Sequence, residues 1–142
     1  MLEPSTLLAE WTGGRGAVTI SRLGSRVIYL RLVGVAEQPA AATIEQALDQ
    51  VFAQTTSVAT FWDLEKLVNY HSDVRVRSTQ FLLAHRSRLH SVHAYSISKV
   101  VTMGVAVASL ALGGLIQAHK TRAQFDAALH ELTMGAQPPI SR

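Results

Sequence analysis

The segment Val100–Ala118, VVTMGVAVASLALGGLIQA, runs for nineteen residues without a charge between Lys99 and the pair His119 and Lys120. No other stretch so narrows what the chain can fold into. Its length would let a helix cross a bilayer. Its content argues otherwise, because three Gly, four Ala, two hydroxyl residues and a Gln leave it far less hydrophobic than a Leu-rich span. The run divides more naturally into a buried strand, Ile97 to Met103, and a short helix, Val105 to Leu112, closed by Gly113 and Gly114. That division expects no membrane partner. It also explains an apolar fraction of 48% with only 16% charged residues by burial alone.

The rest of the chain supplies a frame for such a strand and helix. Ala17 to Leu23 and Arg26 to Val35 are β-rich runs separated by Gly24-Ser25, a hairpin signal. In the second run Val27, Tyr29 and Arg31 alternate with Ile28, Leu30 and Leu32, so one face is apolar and the other mixed. Pro39 opens a helix whose Ile44, Leu48, Val51 and Phe52 form one stripe. Val58 to Leu64 reads as a buried strand, Glu65 to His71 as a loop, and Asp73 to about Leu89 as a second helix with Ser72 as its N-cap. A brief strand at Ile116 to His119 and a helix from about Thr121 to Leu132 complete the order ββαβαβαβα. Strands alternating with helices expect an α/β fold with a mixed, mostly parallel sheet. Residues 1–14 are expected to be an arm or an extra strand, 15–134 one domain, and 135–142 a flexible tail.

With no Cys there is no disulfide, thiolate metal site or thiol nucleophile, which suits a reducing cytoplasm. Thirteen Lys and Arg against ten Asp and Glu are too nearly balanced for a nucleic-acid binder. MLEPSTLLAEW, with Glu3 and Glu10, lacks the basic-then-apolar layout of a signal peptide. His90 and His93 have no carboxylate near them in sequence, so neither a metal nor any other cofactor is expected. No nucleophile elbow, phosphate loop or HExxH motif is present.

The element order, with Asp63 closing a strand and Ser72 opening the next helix, resembles the STAS family, the sulphate transporter and anti-sigma factor antagonist domains. The resemblance is carried by DLEKLVNYHS, residues 63–72, and by LALGGLIQAHKTRAQFDAAL, residues 110–129. It implies a STAS-like fold, no enzymatic activity, and a signalling role exercised through a regulatory protein or kinase, or through self-association into a homo-oligomer. In antagonist members the Ser at this junction is phosphorylated, a role that would pass by position to Ser72. The chain departs from the antagonist pattern in having His71, Asp73 and Val74 around that Ser.

The second helix carries a further signal. Arg75 with Arg86, and Arg77 with Arg88, are eleven residues apart and would form two rows, with Val76 and Leu83 between them on the side away from the core. Apolar residues flanked by arginine suit a partner surface. The expected partner-binding set is Asp63, His71, Ser72, Asp73, Val76, Arg77, Leu83 and Arg88. A second class of function, a small-ligand or lipid carrier, would use an internal cavity near His85. A third, an enzyme, would need Asp63, His71 and Ser72 to converge in one cleft.

Overall fold

A computed structural model describes residues 5–134. Three strands open it as an antiparallel meander: β1 (Ser5–Gly13), β2 (Gly16–Leu23) and β3 (Val27–Ala36). The helix α1 (Gln38–Gln54) follows, with Pro39 in its first turn and Ile44, Leu48, Val51 and Phe52 buried as one stripe. Next come β4 (Val58–Leu64), the short β5 (Leu67–Tyr70), α2 (Ser72–Ala84), a 3₁₀ turn at Arg86–Arg88, and β6 (Leu89–Ser96). The chain continues through α3 (Lys99–Ala111), β7 (Ile116–His119) and α4 (Arg122–Met134).

The sheet runs β1-β2-β3-β4-β6-β7, and β5 extends it by pairing with the end of β3 beyond the reach of β4. From β3 onward every pairing is parallel. With β1 and β5 set aside, the element order is ββαβαβαβα, a mixed, mostly parallel α/β arrangement. Residues 1–14 include the extra strand β1; the tail at 135–142 lies outside the described residues.

Alternation along the strands assigns the two faces. Ile28, Leu30 and Leu32 of β3 join Ile44, Leu48 and Phe52 of α1 in the larger core, which also takes Val74 of α2 and Val101 of α3. Val27 of β3 and Ala59 and Phe61 of β4 point the other way and meet Phe125 and Leu129 of α4. Three helices therefore cover one face and α4 alone covers the opposite one.

Three local expectations are corrected. The strand read at Ile97–Met103 lies earlier, at Leu89–Ser96, and the apolar residues that suggested it belong to α3. Ser98 starts that helix as its N-cap, accepting a hydrogen bond from the Val101 N–H, and Gly113 and Gly114 stop it in the left-handed conformation. The second helix ends at Ala84 rather than Leu89, because the chain tightens into the 3₁₀ turn and enters β6. The loop read at Glu65–His71 contains β5, whose backbone continues the ladder of β3. Among the described residues no helix is long and apolar enough to cross a membrane.

Candidate functional site

The end of β4 and the start of α2 are positioned by β5. Its register, Leu67 to Gly34 and Tyr70 to Ala36, carries the chain alongside β3, and the His71 N–H then donates to the Ala36 carbonyl at 3.1 Å. The N-terminus of α2 is thereby set beside that of α1. His71 is the N-cap of α2, and Ser72 is its first helical residue, exposed, with its hydroxyl making no cap bond. The expected capping role of Ser72 is corrected: the extended backbone that a cap requires falls at His71. Around this junction Arg15 Nη2 lies 3.3 Å from both Glu37 Oε2 and His71 Nε2, and Gln38 Nε2 donates to Asp73 Oδ2 at 2.9 Å.

Asp63 faces elsewhere. It stands on the α4 side of the sheet, 2% exposed, where the Tyr29 hydroxyl donates to its Oδ2. Arg122 Nη1 donates to the same oxygen at 3.0 Å and to Glu65 Oε1 at 2.9 Å, and its Nε reaches Asp126 Oδ1 at 3.1 Å. Burial would raise the Asp63 carboxyl, but the hydrogen bonds from Tyr29 and the Glu65 N–H, with the Arg122 charge, leave it below the usual carboxylate range. Asp63 is thus a buried anchor for α4. Asp63, His71 and Ser72 do not converge, and a catalytic triad of these three is ruled out by their placement.

On α2 the outward positions are Val76, 42% exposed, and Leu83, 50% exposed. The expected rows of arginine are corrected. Arg77 turns toward α1, where its Nε donates to Glu45 Oε2 at 2.7 Å and its Nη1 to Gln38 Oε1 at 2.6 Å. Arg86 and Arg88 lie past the end of α2, and each donates to a backbone carbonyl, of Leu112 and of Phe52. Of the four, Arg75 alone remains on α2 without a fixed role there; it lines a cavity.

That cavity, of about 120 Å³, lies between the sheet and the pair α2 and α3. Its walls include Val74 and Leu82 of α2, Val101 and Gly104 of α3, and Trp62 and Val92 of the sheet, with Tyr70, Arg75, Ser78 and Thr79 as polar members. His85 is not among them, which corrects its expected place. It caps the C-terminal end of α2, stacks on Phe52 with ring centroids 5.1 Å apart, and sets Nε2 3.3 Å from Asp49 Oδ1.

A histidine cluster under α4 is not evident from the spacing of the sequence. A bulge at His90, where Val58 pairs with Leu89 and Ala59 with Ser91, lets His90 Nδ1 reach Ser91 Oγ at 3.1 Å. Ser91 Oγ is 3.1 Å from His93 Nε2, and His93 Nδ1 is 2.9 Å from His119 Nε2. His93 also lies parallel to Phe61, with centroids 4.3 Å apart. Burial in this setting, followed by the nearby His119 and His90, pushes His93 down to about 4, and burial lowers His119 as well. Among the described residues no three His, Cys, Asp or Glu side chains gather as metal ligands would.

No family model matches the sequence, and no curated protein matches it. Solved structures do match in shape. A DUF3478-family protein with a SpoIIAA-like fold from Shewanella loihica PV-4 superposes with a TM-score of 0.61 at 14% identity, covering 84% of this chain and 98% of the other. The anti-sigma factor antagonist SpoIIAA in its unphosphorylated form gives 0.56 at 16% identity, covering 80% and 96%. An anti-sigma factor antagonist from Mycobacterium paratuberculosis gives 0.57 at 15% identity, covering 81% and 94%. The agreement spans nearly the whole of each of those chains and accounts for the mixed sheet and its helices, so the fold of this chain is SpoIIAA-like.

Proposed function

We propose that the chain acts by binding another protein through the loop and helix spanning residues 63–88, in a regulatory or scaffolding role like that of the anti-sigma factor antagonists it resembles in fold, and catalyses no reaction itself. The observation that carries this is the pairing of Val76 and Leu83, two apolar side chains turned to solvent on α2, with a free Ser72 hydroxyl at the start of the same helix. His71, Ser72 and Asp73 form the polar end of that surface. Asp63 supports it from below the sheet, while Arg77 and Arg88 fix α2 against α1. A phosphoryl group on Ser72 would meet the free N–H groups of a helix N-terminus, with Asp73 as the opposing charge. Photocrosslinking from positions 76 and 83 in the source cells tests the reading. One dominant partner is expected, lost in Val76→Asp/Leu83→Asp; crosslinks no different from those at an exposed α4 position such as Ala127 would refute it.

The cavity favours a second reading, a carrier of a small apolar ligand. Its volume approaches the roughly 150 Å³ of an engineered cavity that takes up benzene. A bound molecule of about that size is expected in native mass spectra of the purified protein. Spectra showing the bare chain alone, even after incubation with benzene and indole, would remove this reading.

A further inference from the structure

Charge and apolar surface are distributed in a way the binding of α2 alone does not use. From Val74 to Phe125 the sequence holds seven Lys and Arg and not one Asp or Glu. Arg77 and Arg122 find carboxylates on other elements. Arg75 at the cavity, Arg86 at the C-terminal end of α3 and Lys99 at its first turn are met by no acidic residue from α3, β6 or β7. Lys99 also sits where the helix dipole disfavours a cation, so helix stability does not explain it.

Within this cationic rim α3 exposes an apolar stripe. Val100, Met103, Val107 and Leu110 recur at intervals of three, four and three, opposite Val101, Val105 and Ala108, which face the cavity. Met103 is 69% and Leu110 83% exposed. On α2, the other helix that walls this cavity, Val76 and Leu83 are also exposed. On α3 these exposed apolar side chains share one face and are not scattered singly.

The occupant follows from shape and charge. A second copy of this chain would bring the same cations against themselves, which like-charge repulsion opposes. A helix lying on a bilayer surface carries Lys and Arg along its polar face, and within α3 the one cation is Lys99. A three-four-three apolar stripe running the length of a helix suits a second amphipathic helix packed along it. We infer that the α2–α3 face receives an amphipathic helix of another protein whose apolar stripe is flanked by acidic residues. This rests on the reading of the chain as a binding module and adds the chemistry of its partner and a second helix to the surface.

Two synthetic amphipathic peptides test it, both with leucine along one face and with either glutamate or lysine on the flanks, titrated into the full chain and followed by backbone NMR. The glutamate peptide is expected to bind and to shift the amides of Lys99–Ala111, with about tenfold or greater weakening in Met103→Asp/Leu110→Asp. Both side chains are exposed, so the thermal midpoint of that variant should stay at the wild-type value and the loss reports on contact. Equal binding of the two peptides, or binding of neither, overturns the inference. So does capture by phosphatidylglycerol vesicles through Met103 and Leu110 without peptide binding, or a dimer that the same double variant dissolves. If Val76→Asp/Leu83→Asp abolishes peptide binding while Met103→Asp/Leu110→Asp does not, the α3 stripe fails as the docking site and the α2 surface stands.

Discussion

Between pH 6.5 and about pH 4 the folded chain is expected to lose about 3 kcal/mol of stability through His93. In the folded state this imidazole is neutral, 4% exposed and parallel to Phe61, with its two ring nitrogens engaged by Ser91 and His119. In the unfolded chain the same ring takes a proton near its ordinary value of 6.5. Below that pH protons favour the unfolded state, and the loss grows until the folded ring itself titrates near 4, where it levels off. His119, also lowered, adds to the loss in the same direction. The lowered Asp63 carboxyl acts in a different window, since its contribution is present above 3.8 and fades only below it. Urea unfolding at pH 7, 5.5 and 4 measures the slope. His93→Gln should flatten most of it, and an unchanged slope in that variant would show that His93 is not the group responsible.

Phe125→Ala is expected to cost roughly 3–5 kcal/mol, the range for removing a buried aromatic ring. Phe125 is 0% exposed, and its ring lies 5.6 Å from that of Phe61, 6.3 Å from Tyr29 and 6.0 Å from Tyr95, centroid to centroid. It is the main apolar tie between α4 and the sheet, because it is fully buried while Leu129, the other buried apolar residue of that helix, is 8% exposed and Arg122 stays partly in solvent. Without the ring, the Tyr29–Asp63–Arg122 bonds would have to hold α4 over a cavity. Equilibrium unfolding gives the total, and hydrogen exchange should show amide protection in Arg122–Met134 falling more than in β3 or β4. A loss under about 1 kcal/mol would mean that α4 is held by something other than this ring.

Elements whose burial matches their composition are the ones the sequence discloses. VATFWDL is apolar on both faces and forms β4 over the expected residues, and the Ile44, Leu48, Val51 and Phe52 stripe marks the buried side of α1. β6 was hidden because its α4 face carries Ser91 and His93, polar groups that find partners only after β7 and α4 are in place. α3 misled for the converse reason: its apolar residues are in large part exposed, so a run that looks like a buried strand is a surface helix. Val76 and Leu83 could be placed by helical geometry because α2 is regular over that stretch. Arg86 and Arg88 could not, because the helix has ended before them. The network at Asp63 joins Tyr29 and Arg122, residues brought together only by the sheet, and no local pattern announces it.

The division of helices between the faces, three on one and α4 on the other, also divides the molecule's freedom to change. The outward residues of α2 and α3 share no contact with the Tyr29–Asp63–Arg122 cluster or the histidines beneath α4, since the sheet stands between them. Effects of substitutions on separate sides of such a partition combine nearly independently. A lineage, or an engineer, can therefore rewrite the docking side for a new partner while the opposite side keeps the scaffold standing.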